Sequence, residues 1–146
     1  MWLRAGGGSS GAVEVLESRL LLRPSNLAGS RRFYRDVLGL AVYREFGDPA
    51  DPSVVFFLGG GFLEVSGTAG QTATPNLSLW LQVRNAAEEH ERLVALGVEI
   101  LEAPRRRPWG LVEMWLADPD GVRIVLVEVP EEHPLRRDIR SFPPTE

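Results

Sequence analysis

Short runs in which apolar residues alternate with polar ones, or stand together between turn residues, recur through the chain, and two longer stretches carry apolar residues at helical spacing. "SRLLLRP" (18–24) reads as a strand. "NLAGSRRFYRDVLGL" (26–40) reads as a helix, with Asn26 as its cap, Phe33, Val37 and Leu38 as its apolar stripe and Gly39 at its end. "AVYREF", "SVVFFL" and "FLEVS" follow as strands, the last two joined by a turn at Gly59–Gly61. A polar stretch, "GTAGQTATPN" (67–76), separates this set from a second one. "LSLWLQV" is a strand; "NAAEEHERLVALG" is a helix in which Asn85 and Glu88 have the spacing of a capping box. "VEIL" is a strand, "RRRPWG" a loop, and "LVEMWLA" and "VRIVLVEV" two strands joined by the turn "DPDG".

The order βαβββ therefore occurs twice, with "VLGLAVY" echoed by "ALGVEIL". An internal repeat of this kind predicts two similar modules whose sheets share one cleft. The fold class is α+β. Residues 1–14, rich in Gly and Ser, are expected to be disordered, 15–130 to form a single domain of modules 15–67 and 76–130, and 131–146 to be a polar, Pro-rich tail.

Alternation assigns the faces of the strands. Arg19, Leu21 and Arg23 share one face of the first strand, and Phe62, Glu64 and Ser66 one face of the fourth. Ser78, Trp80 and Gln82 belong together, as do Glu113 with Trp115 and Arg123 with Val125 and Val127. The opposite faces, including Leu79, Leu81, Met114, Leu116, Ile124 and Leu126, are apolar and suited to lie under the helices.

Composition then removes several kinds of chemistry. There is no cysteine, hence no disulfide and no thiol nucleophile. All 16 basic residues are arginine, which excludes a Schiff-base lysine and a P-loop. A net charge of −4 argues against a nucleic-acid partner, and no apolar run has the length of a membrane span. Without an apolar N-terminal core, a cytoplasmic location is expected. The two histidines, His90 on a helix and His133 in the tail, give the serines no base for a hydrolytic triad.

"LAGSRRFYRDVLGL", "GGGFLEVSG", "AAEEHERLVALGVEI" and "WLADPDGVRIVLVEV", in this order and spacing, resemble the vicinal oxygen chelate superfamily of glyoxalases, bleomycin-resistance proteins and extradiol dioxygenases. The resemblance covers about residues 18–129 and implies a cupped mixed sheet with helices outside and a ligand cavity within. Metal-dependent members carry His or Gln, Glu, His and Glu at four positions of the cup. These fall here on Arg19, Glu64, Ser78 and Val125, so only Glu64 matches and no metal site is expected. Arg19 is expected to replace the cation and pair with Glu64.

The expected ligand-binding residues are Arg19, Phe62, Glu64, Ser78, Trp80, Gln82, Trp109, Glu113, Trp115 and Val125. Aromatic surface with a few charged groups suits a small-molecule pocket. Trp80 and Trp115 are placed to stack on a planar ligand, or to pack as core residues. Trp109, in "PRRRPWG", could guard the cup, although a solvated loop is the reading preferred. Glu64 and Glu113 are the candidate catalytic residues; for Glu113 a salt bridge to Arg19, Arg23 or Arg123 is the simpler role. The expected function is binding of a small molecule, as in the bleomycin-resistance branch: sequestration of an antibiotic or aromatic metabolite by a homodimer with no cofactor. The alternative is an enzyme, a lyase, isomerase or dioxygenase that uses a divalent metal or an acid–base pair.

Overall fold

The computed structural model describes residues 16–68 and 77–136. The N-terminal segment, most of the linker and the end of the tail lie outside the described residues. The first module consists of β1 (Arg19–Leu22), α1 (Leu27–Arg32), β2 (Val42–Phe46), β3 (Ser53–Leu58) and β4 (Gly61–Val65). The second consists of β5 (Ser78–Val83), α2 (Ala86–Ala95), β6 (Ile100–Arg106), β7 (Val112–Ala117) and β8 (Arg123–Glu128). Each builds a four-stranded sheet, in the orders β1-β4-β3-β2 and β5-β8-β7-β6. In both, the first strand runs parallel to the last and the other pairings are antiparallel.

The repeat extends to local detail. Asn26 caps α1 by accepting from Gly29 N at 3.0 Å, and Asn85 caps α2 by accepting from Glu88 N at the same distance. The second strand of each module pairs with the third through an irregular register, at Val42/Arg44 in β2 and between Ile100 and Arg105 in β6.

Two expectations about local structure are corrected. The first helix changes character at Phe33: residues Phe33–Val37 form a π-helical turn, closed by Leu38 N on Phe33 O at 2.9 Å. This wider turn lets adjacent Phe33 and Tyr34 both be buried. The strand expected at 98–101 instead begins at Ile100 and runs to Arg106, into the segment read as a loop. Pro104 is tolerated because β6 is the edge strand of its sheet, where a missing N–H costs no ladder bond.

The core joins the modules. Val54, Phe56, Leu63 and Val65 of the first sheet form one cluster with Leu79, Met114, Leu116, Ile124 and Leu126 of the second, together with Phe33, Tyr34 and Leu93 from the helical segments. Each helix thus covers the apolar face of its sheet, outside the polar-bearing face, as the alternation predicts. The sequence leaves open whether the cup closes within one chain or across a dimer, and the docking of the modules bears on that choice. Because both apolar faces look into the shared core, each polar-bearing face lies on the far side of its own sheet. Glu64 and Glu113 therefore lie on the outer faces of different sheets.

The modules are also tied by polar contacts. Tyr34 Oη donates to Asp118 Oδ2 at 2.8 Å, and Asp118 Oδ1 accepts from the backbone N–H groups of Asp120 and Val122, both at 2.8 Å. Asp120 in turn accepts from Ser25 N at 3.1 Å and from the Ser25 hydroxyl. The "DPDG" turn of the second module is thereby fastened to the first.

Candidate functional site

On the first sheet, β1 and β4 bring Arg19 and Glu64 together. Their parallel register sets Arg19 opposite Phe62 and Leu21 opposite Glu64, so all four side chains share a face. Arg19 Nη1 lies 3.0 Å from Glu64 Oε1, while its Nη2 reaches Glu17 at 3.0 Å. The other Glu64 oxygen accepts from Ser66 Oγ at 2.8 Å, and that hydroxyl accepts from Arg23 Nη1 at 2.9 Å. The hydrogen bond from Ser66, seconded by that from Arg19, holds the Glu64 carboxyl below its usual range against the opposing effect of burial. Glu64 is therefore an ionised carboxylate with both oxygens engaged.

Beside it stands an aromatic cluster. Phe62 lies 4.8 Å from Tyr43 and 5.5 Å from Phe57 between ring centroids, and the Arg19 guanidinium sits 6.0 Å from the Phe62 ring. Tyr43 and Phe57 were not among the expected site residues. Phe57 was legible from the alternation of β3; Tyr43 reaches this face through the register shift in β2.

On the second sheet the centre is Glu113, which is only 8% exposed. Trp109 Nε1 donates to its Oε2 at 2.6 Å. Its other oxygen lies 3.7 Å from Arg107 Nε, a buried N–H with no hydrogen-bond partner of its own. Arg107 also holds Glu102 at 2.6 Å. The salt bridge expected for Glu113 thus exists, but its cation is Arg107 rather than Arg19, Arg23 or Arg123. Trp115 is partly buried against Val125, Val127, Leu111 and Val129. Trp80 and Trp109 are half exposed, at 50% and 57%, and Ser78 and Gln82 are exposed. The segment after β8 returns over this region: His133 Nε2 lies 2.9 Å from Trp109 O and Nδ1 accepts from Leu135 N, so the ring is the tautomer that donates to Trp109.

The structure brings together Arg19, Phe62 and Glu64 on one sheet, and Trp109, Glu113, Trp115 and Val125 on the other. It does not bring Glu64 and Glu113 to a common point, since they belong to the outward faces of different sheets. The four positions that bear metal ligands in the resembled family supply a cation already paired with a carboxylate, an exposed hydroxyl and the aliphatic Val125, 3% exposed. Among the described residues, no three His, Asp or Glu side chains converge on one point. This donor set does not fit a divalent ion.

Tandem βαβββ modules with a cap, an irregular second strand and a parallel closing pair define a protein of the glyoxalase-like fold. The sequence profile of the Glyoxalase/Bleomycin resistance protein/Dioxygenase superfamily matches residues 18–126, and the chain belongs to that superfamily. Solved structures share the fold. A superfamily member from Sphaerobacter thermophilus is 24% identical, with a TM-score of 0.65 over 79% of this chain and 98% of its own. A glyoxalase-related enzyme from Fulvimarina pelagi is 25% identical, with a TM-score of 0.64 over 81% and 90%. TnmS3, an antibiotic-binding protein from a Streptomyces species, shares the fold at 17% identity and a TM-score of 0.67 over 82% and 99%. No curated protein matches the chain in sequence.

Proposed function

We propose that this chain binds a small, largely aromatic molecule without a metal ion and acts by sequestering it. The observation that carries the reading is the Arg19–Glu64 pair. The guanidinium occupies the oxygen that a cation would need, and it is itself the wrong charge for a metal site. Ser78 and Val125, at two of the remaining positions, support the reading of a cup that works without an ion. The exposed aromatic rings on both faces supply stacking surface, and TnmS3 is a protein of the same fold that binds an antibiotic.

The reading includes a second copy of the chain. Each polar-bearing face is half a cup, and each carries exposed apolar side chains: Leu21, Tyr43 and Phe57 on the first sheet, Trp80 on the second. The outer edges of β1 and β5 have no strand partner among the described residues. A twofold dimer that sets the first sheet of one copy against the second sheet of the other closes two identical cups.

The experiment is thermal unfolding of metal-stripped protein against Mg, Mn, Fe(II), Ni, Zn and Co ions, followed by a panel of aromatic drugs and metabolites. A specific ion at about 1,000 times its dissociation constant adds roughly 4 kcal/mol, which is several degrees. No shift is expected with any ion. An ion-selective shift that vanishes in Glu64→Gln gives the site to metal-dependent chemistry instead. Sedimentation over a range of concentrations tests the dimer.

A further inference from the structure

A second site lies where the two modules meet. The repeat places each helix beside the last hairpin of the other module, and the two junctions are filled differently. At the first, α1 and its π turn meet the β7–β8 turn, where Tyr34 and Asp118 are hydrogen bonded and Asp120 holds Ser25; the remaining groove is about 300 Å³. At the second, α2 meets the β3–β4 turn, which is Gly59–Gly60 and has no side chain to offer. The cleft left there is about 770 Å³, a volume suited to a drug-sized ligand.

Its walls are mostly apolar, from Leu40, Leu58 and Leu81, with the half-exposed rings of Phe57 and Trp80 beside them. The two charged side chains that reach it cancel. Arg92 Nη2 lies 2.9 Å from Glu89 Oε2, and Arg92 Nη1 donates to Val37 O at 2.8 Å. Gln82, exposed, adds an uncharged donor and acceptor. An ion gains nothing from a matched pair, whereas a flat apolar molecule gains two rings and a leucine-lined wall.

We propose that this inter-module cleft binds an uncharged, planar, predominantly apolar small molecule, stacked against Trp80 and Phe57. Glu64, Glu113 and Arg19 take no part in it, but Phe57 and Trp80 belong to the exposed aromatic surface of the sheet faces, so the proposal shares that surface with the proposed function and needs the cleft uncovered in solution. The β3–β4 turn is its door. Gly60 lines the cleft, does not take the left-handed backbone conformation and has nothing within 4 Å of where a Cβ would go, so a side chain is accommodated there without a clash in the turn.

The test uses N-phenyl-1-naphthylamine, an uncharged fluorescent probe, on the full chain. Saturable binding at one site per chain is expected, with Trp80 emission quenched. Gly60→Trp should fill the cleft and raise the Kd about tenfold or more. Gly60→Ala should bind as the parent does, and the thermal midpoint of each variant shows that it is folded. Trp80→Ala should weaken binding; weakening by Trp109→Ala instead would put the probe on the second sheet's outer face. Absence of saturable binding, indifference to Gly60→Trp, or loss in Trp109→Ala overturns the proposal. So does probe affinity that falls as protein concentration rises, which shows the cleft to be covered by a second copy.

Discussion

Tyr34 of the first module donates its hydroxyl hydrogen to Asp118 of the second across 2.8 Å, and both side chains are buried. Burial, then the Asp118 charge, pushes the tyrosine hydroxyl well above its usual range. Tyr34 therefore holds its proton more firmly than a free tyrosine and donates it to Asp118. Tyr34→Phe removes the donor and leaves a desolvated carboxylate with only its backbone partners. A loss of about 1–2 kcal/mol is expected. Asp118→Ala should cost more, since it orphans the N–H groups of Asp120 and Val122 as well. Urea denaturation of both variants checks the order.

Asp118 and Glu64 should act on stability in opposite directions as pH changes. Burial raises the Asp118 carboxyl above its ordinary value, outweighing its hydrogen bonds to Tyr34 and the backbone. The folded state then binds this proton more tightly than the unfolded one, so its contribution to stability falls as pH rises through the carboxylate range. Glu64 is lowered, by the hydrogen bond from Ser66 and by the hydrogen bond and charge of Arg19. Its contribution is complete above the ordinary glutamate value and is lost as pH falls below it. Glu64→Gln should flatten the acid limb of the stability profile, whereas Tyr34→Phe, by removing a bond that favours the Asp118 anion, should steepen the decline toward neutrality.

Glu64 has two side-chain partners that favour its anion. Carboxyl-carbon NMR titration should show the Glu64 midpoint moving upward in both Ser66→Ala and Arg19→Ala. Equal midpoints in parent and Arg19→Ala would mean that the guanidinium does not hold this carboxylate in solution.

Glu113, Trp109 and Arg107 should behave as one unit. Glu113→Gln still accepts from the indole but leaves Arg107 without its buried counter-charge on this side; Trp109→Phe removes the indole donor alone. A double-mutant cycle should give a coupling of about 0.5–3 kcal/mol between positions 109 and 113. Additive effects would separate the tryptophan from the carboxylate.

The shared core predicts that the modules melt together. Leu93 of α2 is fully buried among side chains of both sheets, and Leu93→Ala should cost about 2–5 kcal/mol. Calorimetry should show one transition, with calorimetric and van't Hoff enthalpies equal in parent and variant alike. Two resolved transitions would mean that the contact between modules is not part of the cooperative unit.

The strands and their faces were legible because period-two alternation survives wherever one face is buried: Arg19 and Leu21 against Leu22, Glu113 and Trp115 against Met114 and Leu116. The Arg19–Glu64 pair followed from that alternation, together with positions carried over from the family. What alternation cannot carry is an irregular register. The shifts in β6 take the strand through Pro104 and set Arg105 opposite Glu113, and with it they bring Arg107 to the carboxylate. Nor does a period of 3.6 announce a π turn, so the burial of two adjacent rings at Phe33 and Tyr34 escaped it. The docking of the modules was hidden for a different reason. Apolar faces show that something covers them, without showing that each covers the other, and the outward turn of the two half-cups depends entirely on that choice.

The parallel pairing of β1 with β4 has a consequence for how the protein is made. Arg19 finds its partner Phe62 only after α1, β2 and β3 have been synthesised, and the second sheet repeats the delay between Ser78 and Arg123. Contacts so distant along the chain fold slowly, because a long loop must close before any of them forms. On the ribosome the first sheet can close before the second exists, yet its apolar face has no cover until β5–β8 arrive. A nascent chain stalled after residue 68 would carry a finished sheet with half a core in water. Such a chain is an attractive target for chaperones, or for the wrong partner.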